Sequence, residues 1–233
     1  MLDVALEERR AAAAAAAAMV EPGMRVGLGS GRTALLFVEA LGARVADGLT
    51  IAGVVPTSSA TETAAIAASL DVLDMFAADA PLGVDLTVDG ADEIDPALRL
   101  MKGGGASLLR EKIVARMAKR FVVVADAAKR VERLGDFPLP VEVVPFGYAV
   151  TARHVGDVLG VMPELRQSDG GTLVTDNGNY ILDCPLGAID DPAAVSEALF
   201  DIPGVVEHGL FLTEAHEALV GTADGVVRMM RPD

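Results

Sequence analysis

The sequence predicts an α/β protein, with a parallel sheet covered by helices on both faces and a smaller α+β unit after it. Three observations lead to this fold class. Strand and helix patterns alternate up to Ala125, the rhythm changes at the proline-containing run 137–140, and the apolar residues are small or branched. Of the 233 residues, 52% are hydrophobic, only 4% are aromatic, and none is Trp. Such a core suits parallel strands packed beneath helices.

The first part of the chain alternates between helix and strand patterns. An alanine-rich helix ends at Pro22-Gly23, and the run 57–59 (TSS) provides an N-cap for a later helix. The predicted elements are, in order, helix 3–19, strand 24–28, helix 33–45, strand 49–55, helix 60–69, strand 84–88, strand 98–101, helix 106–119 and strand 121–125. This alternation is typical of a parallel sheet.

The second part has the pattern of a smaller α+β unit. Its predicted elements are strand 141–144, helix 148–159, a hairpin of strands 171–174 and 180–183 around Asp176-Asn177-Gly178, and helix 191–200. We expect residues 205–212 and 218–227 to return to the first sheet. The length fits one large domain, or one domain with a small partner.

The charge and hydropathy of the chain exclude several classes of protein. The formal net charge is −15, and an acidic surface repels phosphate backbones, so we expect no nucleic-acid partner. An uncharged apolar run of about 18 residues is absent, which argues against a membrane span. The apolar run 11–20 follows Glu7-Glu8-Arg9-Arg10 and does not match a signal peptide, so we expect a soluble, cytoplasmic protein.

The cysteine and histidine residues predict no metal centre or disulfide. The single cysteine, Cys184, cannot form an internal disulfide, which fits a reducing compartment. The histidines His154, His208 and His216 are scattered and form no close pair at helical spacing. We expect all four residues to have packing or surface roles.

Four polar clusters fall at the ends of predicted strands, where ligands bind in open parallel sheets. The first cluster is 27–33 (GLGSGRT), which resembles a dinucleotide fingerprint except that Arg32 stands where glycine is needed. Glycines leave the backbone N–H groups at the start of a helix accessible, and neighbouring hydroxyls add further donors. Such a cluster is suited to bind a phosphate. The alternative is a tight turn in which Ser30 or Thr33 caps the helix.

The second cluster is acidic, with four carboxylates within 89–95 (DGADEID). We expect Asp89, which ends an apolar strand, to face a cleft, and Glu93 and Asp95 to be solvated. Oxygen ligands suit Mg²⁺ or Ca²⁺, but the spacing matches no metal-binding loop.

The third cluster is 102–106 (KGGGA), where three glycines allow a backbone to approach a ligand closely. Lys102 at the strand end is suited to stabilise an oxyanion, although a lysine is usually a surface residue.

The fourth candidate is Glu111, on the predicted helix 106–119. Leu109, Ile113 and Met117 define the expected core stripe, and at about 100° per residue Glu111 lies about 200° from Ile113. No basic residue stands three or four positions away, so a helical salt bridge is not expected. The interpretations left are simple exposure or a general base facing the glycine-lined cleft. Lys129 follows strand 121–125 and is either a second anion contact or a solvated loop residue.

Taken together, these clusters resemble ribose-5-phosphate isomerase of the A type. The matching stretches run in family order over almost the whole chain: 26–34 (VGLGSGRTA), 85–95 (DLTVDGADEID), 102–115 (KGGGASLLREKIVA), 123–129 (VVADAAK), 137–145 (FPLPVEVVP), 174–183 (VTDNGNYILD) and 202–211 (IPGVVEHGLF). One departure is Arg32, where the family commonly has serine. An arginine there either assists phosphate binding or points to solvent.

The resemblance implies a Rossmann-like catalytic domain of residues 1–134 and 207–233, with a smaller α+β domain of 135–206 inserted. It also implies a homodimer or homotetramer that needs no metal or organic cofactor. The expected activity is the interconversion of D-ribose 5-phosphate and D-ribulose 5-phosphate in the non-oxidative pentose phosphate pathway.

The resemblance also implies roles for individual residues. Glu111 is the proton acceptor, and Asp89, Asp92 and Lys102 surround the reacting end of the sugar. The residues expected to bind the substrate are Ser30, Gly31, Arg32, Thr33, Asp89, Gly90, Ala91, Asp92, Lys102, Gly103, Gly104, Gly105 and Lys129. Either aspartate is suited to relay protons between O1 and O2 or to open the ring.

Three other functions compete with the isomerase. A non-catalytic sugar-phosphate sensor has the same fold, but the retained Glu111, Lys102 and aspartates argue against it. A nicotinamide dehydrogenase needs glycine at Arg32 and an acidic ribose anchor where Thr57 and Ser58 stand. A metal-dependent isomerase using the acidic cluster would lose its activity in a chelator.

Overall fold

The computed structural model describes residues 4–232, which form two compact units. The first unit contains the chain up to Ala91, Arg110–Lys129, and the chain from Glu214 onward. The second unit contains Asp92–Leu109 and Arg130–Thr213. These units begin and end at other residues than the predicted domains, whose bounds remain a prediction.

Helices and strands alternate in the order that the sequence predicts. The helices are α1 (Val4–Ala17), α2 (Gly31–Ala46), α3 (Ser59–Ala67), α4 (Leu108–Met117), α5 (Tyr148–Leu159) and α6 (Pro192–Phe200), with a short 3-10 helix at Ala127–Lys129. Asp3, predicted to start the first helix, lies outside the described residues. No helix within residues 4–232 is long and apolar enough to span a membrane.

The strands of the first unit are β1 (Arg25–Leu28), β2 (Gly53–Pro56), β3 (Val84–Asp89), β6 (Ala118–Asp126), β14 (Glu217–Thr222) and β15 (Gly225–Met230). Those of the second unit are β4 (Glu93–Ile94), β5 (Leu100–Met101), β7 (Leu139–Val143), β8 (Glu164–Leu165), β9 (Gln167–Ser168), β10 (Gly171–Thr172), β11 (Tyr180–Cys184), β12 (Val205–His208) and β13 (Leu210–Phe211).

The first unit is built on a six-stranded sheet in the order β15-β14-β6-β3-β1-β2. All neighbours are parallel except the edge pair β14–β15. Helices cover both faces. Val54 packs in the cluster that contains α1 and α2, whereas its neighbour Val55 packs with Val114 of α4. Successive strand residues point to opposite faces, so the sheet is a buried layer, as predicted.

The parallel strands bring three loops to one edge of this sheet. Strand β1 ends before Gly29-Ser30, β3 ends at Asp89, and β6 ends before the 3-10 helix Ala127–Lys129. Because their carboxyl ends share an edge, these loops occupy the usual place of a ligand site.

The second unit contains an antiparallel four-stranded sheet in the order β12-β7-β11-β8 and a three-stranded sheet in the order β13-β5-β4. Its core joins Val141 of β7 and Leu182 of β11 to Val155 of α5 and Leu199 of α6. The central strand of the smaller sheet is β5, and Lys102 follows it directly.

Two predicted strand pairings are wrong. Residues 171–174 and 180–183 do not pair as a hairpin, because β10 pairs with β9 and β11 pairs with β7 and β8. The turn itself exists, closed by a hydrogen bond from Gly178 N–H to Thr175 O. Residues 205–212 belong to the second unit's sheets, and only 218–227 join the six-stranded sheet.

Candidate active site

The turn after β1 approaches β3 so closely that glycine is required. A Cβ at Gly29 would lie 2.0 Å from Oδ1 of Asp89, and a Cβ at Gly27 would lie 2.2 Å from Oγ1 of Thr87. Asp89 is 1% exposed, and its Oδ1 accepts hydrogen bonds from the N–H groups of Ser30 (3.0 Å) and Gly90 (2.7 Å). This one carboxylate oxygen therefore fixes the loops that follow β1 and β3.

Ser30 is the N-cap of α2, but its hydroxyl makes no capping hydrogen bond. The hydroxyl instead pairs with that of Thr57 at 2.6 Å, and Thr57 is fully buried. Gly31 and Arg32, in the first turn of α2, are exposed. The N-terminal end of a helix attracts anions through its N–H groups and dipole, so this end of α2 is suited to a phosphate.

The loop after β2 supports this turn, and sequence reasoning gave it no role in the site. The predicted N-cap run 57–59 contains the N-cap of α3, which is Ser58, and Ser58 accepts a hydrogen bond from Thr61 N–H. The hydroxyl of Thr61 donates to Gly29 O at 3.0 Å. The polar run 57–59 follows a strand as the other clusters do, and this placement could have indicated that the loop lies near the site.

Glu111 lies in the first turn of α4 and is 4% exposed. The predicted core stripe of this helix is wrong, because Ile113 is 49% exposed. The buried face instead contains Leu108, Glu111 and Ala115, which lie three and four residues apart on one side of the helix. Simple exposure of Glu111 is therefore excluded.

The second unit holds the glycine loop of residues 103–105. Gly103 has a positive φ of +105°, and a Cβ there would lie 2.8 Å from Leu108 Cδ2. The N–H of Gly104 donates to Oδ2 of Asp92 at 2.8 Å, and a Cβ at Gly104 would lie 2.7 Å from Oδ1 of that residue. Asp92 and this loop are therefore brought together at close range.

Lys102, which precedes the glycine loop, is 3% exposed and is not a surface lysine. Its N–H donates to Gly209 O at 2.8 Å, which fixes the backbone at the end of β5. Its ammonium nitrogen lies 5.3 Å from the centroid of the Phe211 ring, within cation–π range.

The other two carboxylates of the acidic cluster are structural, and the prediction that they are solvated is wrong. Glu93 is 3% exposed and accepts hydrogen bonds from the N–H groups of Gly135 (2.7 Å) and Phe137 (2.5 Å). Asp95 is fully buried and binds the N–H and guanidinium of Arg99. Carboxylates can be buried in this way because backbone N–H groups provide the hydrogen bonds that water would otherwise make.

The remaining predicted residues lie as follows. Gly90, Ala91 and Thr33 are half-buried, and Lys129 is half-buried in the 3-10 helix after β6. Among residues 4–232, no group of three or more histidine, cysteine, aspartate or glutamate side chains is arranged to hold a metal ion.

An α/β fold with a helix N-terminus that can bind an anion and buried carboxylates that can transfer protons is typical of enzymes that act on anionic small molecules. The first unit provides a helix N-terminus for an anion and the buried acids Asp89 and Glu111. The second provides the buried Lys102 and a carboxylate, Asp92, held by a glycine loop.

Comparison with known proteins gives the family. The sequence profile of ribose 5-phosphate isomerase A (phosphoriboisomerase A) matches residues 53–225. A relative from Caulobacter sp. (strain K31), ribose-5-phosphate isomerase A, is 52% identical over 96% of this chain and 98% of its own.

Solved structures agree with this result. Ribose 5-phosphate isomerase A from Methanocaldococcus jannaschii is 38% identical, with a TM-score of 0.88 over 95% of this chain and 97% of its own. A D-ribose-5-phosphate isomerase in complex with phospho-erythronic acid is 36% identical, with a TM-score of 0.91 over 97% of this chain and 99% of its own. The chain belongs to the ribose 5-phosphate isomerase A family.

Proposed function

We propose that this chain interconverts D-ribose 5-phosphate and D-ribulose 5-phosphate by moving one proton between C2 and C1 through an enediolate. Family membership over almost the whole chain is the observation that carries the proposal. The phospho-erythronic acid held by one relative supports it, because a phosphorylated sugar acid resembles a sugar phosphate whose reacting end carries negative charge.

Glu111 is the proposed general base. The reaction needs one carboxylate that takes a proton from one carbon and returns it to the next. Burial supports this role, since a site that limits the access of water protects the enediolate from side reactions. The first turn of a helix also favours the ionised form that must act as base.

Lys102 is the proposed oxyanion partner. The enediolate carries negative charge on the oxygens of C1 and C2, and a buried ammonium stabilises that charge more strongly than an exposed one. Asp89 and Asp92 are the proposed groups for proton relay between these oxygens and for ring opening. Backbone N–H groups hold both carboxylates, so each is preorganised.

The proposed phosphate site consists of the first turn of α2 and Lys129. Ser30, Gly31, Arg32 and Thr33 offer N–H groups, hydroxyls and one cation at an exposed helix N-terminus. We assign Gly90, Ala91 and the glycines 103–105 to contacts with the sugar.

We also propose that the reaction needs no metal ion, that the protein works in the cytoplasm, and that it assembles as a homodimer or homotetramer. A buried, unpaired Cys184 supports a reducing compartment. Lys102 supports a metal-free mechanism, because its positive charge can stabilise the enediolate oxygens in place of a metal ion.

Proton NMR of ribose 5-phosphate with the purified protein in D₂O and a chelator tests the proposal. We expect ribulose 5-phosphate to form, with deuterium entering at the exchanging carbon. A chelator-sensitive activity restored by a divalent ion would contradict the metal-free mechanism. A silent spectrum from folded protein would favour a sugar-phosphate sensor.

Glu111→Gln tests the base. The amide has nearly the same shape but cannot accept the carbon-bound proton, so we expect kcat to fall at least about 100-fold with little change in KM. Glu62→Gln is the matched control, because Glu62 is also in the first turn of a helix of the first unit but is exposed. Near-normal turnover in Glu111→Gln would remove Glu111 from the mechanism.

A further inference from the structure

Arg166, between β8 and β9, joins a carboxylate to the glycine loop of the second unit. Its Nε donates to Oδ2 of Asp183 at 2.9 Å, and its Nη2 donates to the other oxygen of the same carboxylate. Its Nη1 donates to the carbonyl oxygens of Gly103 (2.7 Å) and Gly104 (3.3 Å). The side chain is only 12% exposed, so the guanidinium is held in one place.

These contacts fix the direction of the N–H groups on the opposite side of the loop. In a trans peptide the C=O and the following N–H point in opposite directions, and no cis peptide occurs within the described residues. Holding the Gly103 carbonyl on Arg166 therefore directs the Gly104 N–H away from Arg166, where it meets Asp92. Holding the Gly104 carbonyl sets the Gly105 N–H in the same way.

The guanidinium also strengthens these donors. A cation on a carbonyl oxygen polarises the peptide group and makes its N–H a better donor, since hydrogen bonds in a chain reinforce one another. Bidentate pairing with Asp183 limits the ways in which Arg166 can turn. Three consecutive glycines have little conformational preference of their own, so contacts from outside the loop must hold it.

We propose that Arg166, fixed by Asp183, is a positioning residue for the isomerisation. It orients the N–H groups of Gly104 and Gly105, and through Gly104 it orients the carboxylate of Asp92. Arg166 acts through these groups and contacts no reacting atom. The inference rests on the roles proposed above for Asp92 and the glycine loop.

Steady-state kinetics with ribose 5-phosphate test the inference. We expect Arg166→Met to lower kcat about 10- to 100-fold, the usual scale for a misplaced catalytic group, and Asp183→Asn to lower it less. Arg133→Met is the matched control, because Arg133 forms an ion pair with Asp190 in the same unit without a hydrogen bond to the glycine loop. We expect its kcat to stay near that of the unmodified protein.

The double variant Asp92→Asn, Arg166→Met separates positioning from general stability. If Arg166 acts through Asp92, Arg166→Met should lower kcat much less in the Asp92→Asn protein than in the unmodified protein. The reason is that the effects of two residues that act as one unit do not add. A purely structural role would lower the amount of folded protein by the same factor in both backgrounds. Full multiplication of the two losses would overturn the inference.

Other outcomes are equally decisive. Normal kcat and KM in Arg166→Met, with Asp92→Asn impaired, would overturn the inference and leave the role of Asp92 intact. Normal kcat in Asp92→Asn would overturn the role of Asp92 and the inference with it. If Arg166→Met does not fold, Asp183→Asn decides, since it keeps the arginine. Normal kcat in that variant would overturn the inference.

Discussion

At the scale of single residues, burial separates candidate catalytic groups from ordinary charged side chains. Lys102 is 3% exposed and Glu111 is 4% exposed, although lysine and glutamate are rarely fully buried. Removing a charge from water is costly unless other groups compensate. A surface role does not explain these positions, and their burial supports the proposed mechanism.

The buried thiol of Cys184 gives a prediction for the pH dependence of stability. Burial raises the pKa of the Cys184 thiol from 9.0 to about 12, and the negative charge of Asp183 adds to the rise. Above pH 9 the unfolded chain loses this proton while the folded chain keeps it. The stability that the protonated thiol provides is therefore present below pH 9.0 and is lost as the pH rises toward about 12.

Urea unfolding at pH 8 and pH 10.5 measures this loss. The protein should lose about 2 kcal/mol more than Cys184→Ala between these pH values, at about 1.4 kcal/mol per unit of pKa difference. Any cavity left by the alanine has the same effect at both pH values and cancels in the comparison. Equal pH dependence in the two proteins would show that the thiol titrates normally.

At the scale of elements, a single carboxylate ties strand β4 to a segment forty residues away. Glu93 accepts the N–H groups of Gly135 and Phe137. Glu93→Gln keeps the shape but turns an NH₂ group toward one of these donors. The variant therefore loses the carboxylate charge, and one of the two backbone N–H groups stays buried without an acceptor. We expect these two losses to lower the free energy of unfolding by about 2–4 kcal/mol.

Urea unfolding of Glu93→Gln checks this value. Glu132→Gln is its control, because Glu132 is exposed in the same unit and we expect a change within about 0.5 kcal/mol. An equal, small change in both variants would show that the two backbone donors are satisfied without the carboxylate.

Elements set by local sequence could be predicted, and elements set by distant contacts could not. The bounds of α5 (148–159) were predicted correctly, and the N-cap of α3 lies in the predicted run 57–59, because periodicity and capping are local. The hairpin around residue 177 was not, since strand partners depend on the whole chain. The buried face of α4 was also missed, because a charged residue occupies part of it.

The same reasoning explains what could be predicted of the candidate site. Loops after parallel strands must meet at one edge, so Ser30, Asp89 and Lys129 could be located from the strand pattern alone. Thr57 also follows a parallel strand, but its hydrogen bond to Ser30 and the contacts of Arg166 could not be predicted, because each joins residues far apart in the sequence. The burial of Glu93 and Asp95 depends on donors from later segments, which an acidic motif does not show.

At the scale of the whole molecule, exposed apolar side chains support the proposed assembly. In the second unit Phe146 is 94% exposed and Met162 is 83% exposed, and Val150, in the first turn of α5, is 59% exposed. Large apolar side chains left exposed are typical of interaction surfaces when they form a patch. We predict that the interface between copies of this chain includes Phe146.

Sedimentation equilibrium tests this prediction. The protein should have two or four times the chain mass of 24.0 kDa, and Phe146→Ser should shift it toward smaller species, because a serine removes most of the apolar area that the interface buries. Phe76→Ser is the matched control, since Phe76 is 90% exposed but belongs to the first unit. A mass of 24.0 kDa for the unmodified protein would show that it is monomeric. Dissociation by Phe76→Ser alone would instead assign the interface to the first unit.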